Sequence, residues 1–164
     1  MNSIDTLIAL ANLRGSLDLR CQFQGAWAMD HEPEPLGVAP YHIVLAGTCH
    51  AELSGGQQVT LEEGDILLMP GGATHLVRSQ GARVKPVAQT VIEGGLLPIH
   101  RLGGEQPDVD MLCGNFHYNR QSLLFSALPD YLVVSSREWQ GDGQLAALIA
   151  LLRSEADGLS LIHI

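Results

Sequence analysis

One stretch constrains this chain more than any other: residues 64–75, Gly-Asp-Ile-Leu-Leu-Met-Pro-Gly-Gly-Ala-Thr-His. Gly64-Asp65 is a turn pair, since glycine takes positive φ and aspartate bonds its own backbone. Ile66, Leu67, Leu68 and Met69 follow, a run short and apolar enough for a buried strand. Pro70, Gly71 and Gly72 stop it, because proline offers no ladder N–H and glycine reaches backbone angles closed to other residues. His75 then opens a returning strand, His75-Leu76-Val77. The pattern is a strand, a tight corner and a second strand with a histidine at its mouth. Its plainest form is a hairpin in a β-sandwich, with His75 satisfied in the core or at the rim.

A chain of 164 residues is the size of one domain with a single sizeable core. With 18 glycines and 8 prolines it is rich in turns. No apolar run reaches the ~18 residues of a membrane span, and no basic–apolar–small series marks a signal peptide. The formal net charge is −9, from 18 acidic and 9 basic residues, which repels a phosphate backbone and argues against nucleic-acid binding by this stretch itself. Three cysteines, an odd number without zinc-type spacing, argue against a secreted disulfide framework. A cytoplasmic protein is the expectation.

In order, Ile4, Leu7, Ile8 and Ala11 fall on one face of an N-terminal helix that Ser3 caps and Gly15 ends. Leu17, Leu19, Cys21 and Phe23 then alternate as a strand, which Gly25 breaks before Trp27-Ala28-Met29 resumes it. Residues 30–40 hold three prolines and read as a loop or edge segment. Tyr41 to Gly47, Cys49 to Leu53 and Val59 to Leu61 read as strands. Past Val77 come a strand over residues 84–92 interrupted at Pro86, and a strand from Val109 to Tyr118 in which Leu112, Phe116 and Tyr118 share a parity. A helical or extended piece surrounds Leu128-Pro129. Leu145, Leu148, Ile149 and Leu152 stripe a final helix.

Gly64, Pro70, Gly72 and His75, at their spacing, resemble the second motif of the cupin superfamily, and Tyr41-His42-Ile43-Val44-Leu45-Ala46-Gly47 resembles the end of the first. The resemblance implies a mostly β, cupin-type (jelly-roll) antiparallel β-barrel with a short N-terminal helix and C-terminal helices. Adding Leu112-Cys113-Gly114 with Phe116, and Leu123-Leu124 ahead of Leu128-Pro129, the chain resembles the N-terminal cupin domain of AraC/XylS-type transcription regulators. That implies an effector- or oxidant-sensing, homodimerising domain over residues 1–155, with DNA bound only through a C-terminal helix-turn-helix domain and no membrane partner. Residues 156–164 read as a linker remnant and an extraneous tail. The last six, Leu-Ser-Leu-Ile-His-Ile, match one reading frame of a transposon-end adapter, so a truncated gene is expected.

The resemblance also sets a metal test. A metal-dependent cupin takes two histidines and a glutamate from the first motif and a histidine from the second. His75 fills the last place. Counting back from Gly47, the glutamate place falls on Pro40 and the histidine places on Leu36 and Glu34, or on Pro35 and Pro33. No metal site is therefore assigned, although a divalent transition metal stays open, with His42 and His75 its weak candidates and His31, Glu32 and Glu34 close in sequence. Trp27, His42 and His75 are the effector-pocket candidates, two imidazoles being suited to hydrogen-bond an effector carboxylate. His50, His100 and His117 are expected at the solvent face. Cys21 and Cys113 are the redox candidates, on strand positions where a pair of thiols meets across the barrel. The alternative function is a stand-alone metal-dependent cupin enzyme of oxygenase or isomerase type.

Overall fold

The computed structural model describes residues 14–81, 89–93, 95 and 97–135. Eleven strands and one turn of helix follow in order among them. They are β1 (Arg14–Phe23), β2 (Ala28–His31), β3 (Val38–Ala46), β4 (Cys49–Leu53), β5 (Gln58–Leu61), β6 (Asp65–Leu68), β7 (His75–Arg78), β8 (Thr90–Ile92), β9 (Ile99–Leu102), β10 (Val109–His117), α1 (Leu123–Ser126) and β11 (Leu132–Ser135). The helices expected near residues 3–11 and 144–153, and the tail over residues 156–164, lie outside the described residues.

The strands form two sheets: a seven-stranded one ordered β11-β6-β3-β10-β1-β9-β8, and a four-stranded one ordered β2-β7-β4-β5. Every pairing is antiparallel except β1 with β9, which run parallel from Arg20↔Ile99 to Phe23↔Leu102. The wholly antiparallel expectation is corrected at that point. A turn cannot return a strand in parallel, so the connection between β1 and β9 passes through most of the fold.

Two apolar layers hold the sheets. Between them lie Cys21, Phe23, Trp27, Val44, Cys49, Ala51, Leu61, Leu67, Met69, Val77 and Met111, drawn from both sheets. On the far face of the large sheet Tyr41, Ile43, Ile66, Leu68, Leu112, Phe116, Tyr118, Phe125 and Val134 make a second cluster. A strand buried on both faces reads as a continuous apolar run, as β3 does. Alternation still decides the faces: Tyr41 and Ile43 point outward, His42 and Val44 inward.

Pro40 corrects another expectation, for it sits inside β3, a central strand, instead of in a loop. Its carbonyl accepts from Met69 N–H at 2.9 Å. The ladder between β3 and β6 begins only at Tyr41↔Leu68, so Pro40 stands one step past its end, opposite Met69, whose carbonyl accepts from Gly72 N–H at 3.0 Å instead.

The corner itself is built on glycine. Gly72 has φ +72°, and a Cβ there would lie 2.8 Å from the Glu34 carbonyl oxygen. The loop joining β2 to β3 therefore packs directly on the Pro-Gly-Gly corner, with Glu34 N–H donating to the Gly72 carbonyl at 2.9 Å. That contact brings the end of β2 alongside the start of β7.

Candidate functional site

Register places the histidines. In the small sheet His31 and His75 are direct partners across β2 and β7. In the large sheet His42 is the direct partner of Cys113 across β3 and β10. The two pairs meet in the gap between the sheets. One ring nitrogen from each of His31, His42 and His75 lies within 4.8 Å of the other two. The rings of His31 and His75 stack, with centroids 4.4 Å apart and planes at 5°. His42 meets both edge-on.

The hydrogen bonds run in a chain. His75 Nδ1 lies 3.0 Å from the Ala73 carbonyl, His75 Nε2 lies 2.8 Å from His42 Nε2, and His42 Nδ1 lies 3.0 Å from Cys113 Sγ. His31 Nε2 is buried and, among the described residues, has no hydrogen-bond partner. Burial lowers the pKa of all three imidazoles. His31 falls to about 4, with the neighbouring His75 adding to the effect of burial. His42 falls well below its ordinary value, through burial and then through His31 and His75. Burial lowers His75 as well, against the opposing effect of its bond to Ala73. The cluster is neutral at pH 7, as nitrogen ligands must be.

Two cavities open on it. One, of about 200 Å³, is lined by His31, His42 and Cys113 together with Asp18, Asp30, Glu32 and Glu34. The other, of about 400 Å³, adds Leu19, Ala28, Met29, Gln89 and His100 to His31 and Cys113. A divalent transition metal fits this donor set. Three neutral imidazoles suit zinc, copper, iron or nickel, and the orphaned His31 Nε2 is the kind of buried polar atom a ligand satisfies. His31, His42 and His75 would hold the ion. When bound, it would supply a fixed positive charge and a Lewis acid facing the cavities.

The thiols gather at the same place. Cys21 is paired with Met111 and Leu19 with Cys113, so Cys21 and Cys113 are diagonal neighbours on the inner face of β1 and β10. The Cys113 pKa is raised well above the ordinary thiol value, first by contact with the Cys21 thiol and then by burial. Burial, with the Asp65 charge, pushes the Cys49 thiol up to about 12. All three cysteines are free and buried.

Of the residues singled out from sequence, His42, His75, Cys21 and Cys113 come together. Trp27 does not join them: it is buried against Phe23 at 4.8 Å between ring centroids and lines neither cavity. The solvent-face expectation is corrected for His100, which lines the larger cavity and bonds Gln89 at 2.9 Å. His50 and His117 are partly buried in strand positions, and His50 bonds Thr60. His31 carries no weight in a count backwards from Gly47, because it lies ahead of the ligand places. The signal that finds it is parity: Trp27, Met29 and His31 alternate into the strand before the proline loop.

Two facing sheets, a Pro-Gly corner and imidazoles converging between the layers define a small two-sheet β-barrel of the cupin kind. The chain belongs to the cupin family, whose pattern it matches over residues 3–159. It is 32% identical to an uncharacterized HTH-type transcriptional regulator of Haemophilus influenzae, over 82% of this chain and 45% of that protein. It is 28% identical to the HTH-type transcriptional regulator MtrA of Neisseria gonorrhoeae, over 79% of this chain and 43% of that one. A third relative, the RCS-specific HTH-type transcriptional activator RclR of Escherichia coli, is 27% identical over 46% of this chain and 26% of its own. The resemblance to the cupin domain of AraC-type regulators holds, and the chain spans less than half the length of these relatives. Among the described residues, no helix is long and apolar enough to cross a membrane.

Proposed function

We propose that the chain is the effector-sensing, dimerising domain of a cytoplasmic AraC-type transcription regulator, in which a separate domain contacts DNA. The observation that carries this reading is the extent of the match: 82% of this chain recurs as 45% of a helix-turn-helix regulator. The cupin pattern over residues 3–159 supports the same reading, since it accounts for a sensing domain and for no helix-turn-helix unit.

The effector is read at His31, His42 and His75, and its class is a divalent transition-metal cation. Neutral imidazoles offer an anion no charge, and four carboxylates line the smaller cavity beside them. The carboxylate-bearing effector expected from two histidines alone is disfavoured by the same charges. A chain of net charge −9 attracts cations over a longer range as well. Oxidant sensing by Cys21 and Cys113 draws support from the contact of their thiols. It is opposed by the raised Cys113 pKa, since the thiolate is the reactive form.

The second reading, a stand-alone metal-dependent cupin enzyme, is favoured by one observation: His31 of the cluster borders, with His100, a cavity of about 400 Å³ with room for a small substrate. A chimera separates the two. Residues 3–159 replace the matching segment of the Haemophilus influenzae regulator, and transcription from that regulator's promoter is followed as zinc, cobalt or nickel is varied. The sensing reading expects a metal-dependent output that His42→Ala and His75→Ala abolish. Output indifferent to metal in a folded chimera would overturn it.

A further inference from the structure

The hydrogen bonds of the cluster fix each proton. A carbonyl oxygen only accepts, so His75 Nδ1 carries the proton that it donates to Ala73, and neutral His75 keeps a bare Nε2. His42 Nε2, 2.8 Å away, must then donate to it. That leaves His42 Nδ1 bare, and the Cys113 S–H donates to it at 3.0 Å. The bonds therefore run from Cys113 to His42 to His75 to Ala73, each pointing the same way. In this state His42 covers with a proton the nitrogen that an ion would need.

We propose that Cys113 is the positioning residue of the three-histidine site, and that loading an ion reverses its hydrogen bond with His42. The proposal rests on the metal-cation reading above. For His42 to offer Nε2, one proton leaves that nitrogen and one arrives at Nδ1, so the ring stays neutral. Nδ1–H then needs an acceptor. Cys113 Sγ is its direct cross-strand partner and turns from donor to acceptor. His75 needs no such change, since its Nδ1–H already bonds Ala73 and its Nε2 is bare once His42 turns. The two histidines thus begin with opposite tautomers and finish alike. Ligating histidines are commonly oriented by a partner on the far nitrogen, and losing that partner weakens metal binding by about 10–100-fold. Cys113, though buried, belongs to the lining of both cavities. A modification that removes the acceptor is felt at the ion.

The test uses the full chain, labelled with ¹⁵N, and zinc as the probe. Imidazole nitrogen shifts of the reduced, metal-free protein should show His42 protonated at Nε2 and His75 at Nδ1. Zinc should move the His42 proton to Nδ1 and leave that of His75 in place. Cys113→Ser, whose hydroxyl both donates and accepts, should keep the tautomer change and bind zinc within a few-fold of the parent. Cys113→Ala should bind about 10–100-fold more weakly at a temperature where both are folded. A parent that binds zinc, with loss in His31→Ala, but whose affinity ignores Cys113→Ala overturns the role of Cys113 and leaves the metal reading standing. A folded parent that binds no zinc overturns both.

Discussion

His42 and Cys113 face each other as direct partners across the two central strands β3 and β10, with Nδ1 3.0 Å from Sγ. The pairing joins the histidine cluster to the thiols through one hydrogen bond. Contact with the Cys21 thiol and then burial hold the Cys113 thiol in its protonated form, and its low reactivity follows from that.

Cys113 and Cys49 should be slow to alkylate. Cys49 is pushed up to about 12 from an ordinary value of 9.0, and contact with Cys21 and burial raise Cys113 in the same direction. For Cys49 the shift cuts the thiolate fraction near neutral pH by about a thousandfold. Iodoacetamide at pH 8, followed by mass spectrometry, should leave both thiols unmodified while a free cysteine reacts to completion. Adding denaturant should release them. Fast labelling of Cys113 in the native protein would show that the thiol is not held as the structure has it.

Stability should fall on mild acidification. His31, His42 and His75 are neutral in the fold, with His31 lowered to about 4, whereas in the unfolded chain each protonates near 6.5. Below pH 6.5 the unfolded chain therefore binds more protons than the native one, and unfolding gains free energy as the pH drops. The loss is complete once the folded pKa is passed. For His31 the window runs from about 6.5 down to about 4 and corresponds to roughly 3 kcal/mol. Urea unfolding at pH 7.5, 6 and 5 should show the decline, and His31→Gln, which cannot titrate, should show a shallower one.

Gly72 and Gly71 make a paired experiment on the corner. Gly72 has φ +72° and no room for a Cβ beside the Glu34 carbonyl, whereas a Cβ at Gly71 meets nothing within 4 Å. Gly72→Ala should cost about 1–3 kcal/mol and displace the loop of residues 32–37. Gly71→Ala should stay close to the parent. Urea midpoints of the two variants decide it: equal midpoints would mean that the corner does not clamp the loop.

The sequence showed some parts of this molecule and hid others, for physical reasons. Period-two alternation marked β1, and the Gly-Asp to Pro-Gly-Gly run marked β6, its corner and β7, since both signals are local. The parallel partnership of β1 with β9 left no trace, because pairing is a relation between distant segments. Pro40 was misread for a related cause: whether a strand needs a given N–H depends on where its neighbour ends. His75 and His42 were legible as inward-facing by motif and parity. His31 was legible only as one of three nearby residues that a shifted loop would have to bring inward, because counting from Gly47 presumes a fixed length between β2 and β3. The loop of residues 32–37 changes that length, and the contact of Gly72 with Glu34 takes up the difference.

Transition metal should stabilise the chain, and at an unusually low pH. An ion that binds only the folded state adds about 2.7 kcal/mol at a hundredfold excess over its Kd. An ordinary histidine site loses its ion as protons compete near pH 6.5. Here burial has already lowered all three imidazoles, His31 to about 4, so competition begins only at lower pH. Zinc should therefore raise the melting temperature at pH 5.5 nearly as much as at pH 7.5. The rise should vanish in His31→Ala and His75→Ala, both judged against their own metal-free baselines. A zinc effect present at pH 7.5 and gone at pH 5.5 would point to histidines outside the cluster, such as the partly buried His50 or His117.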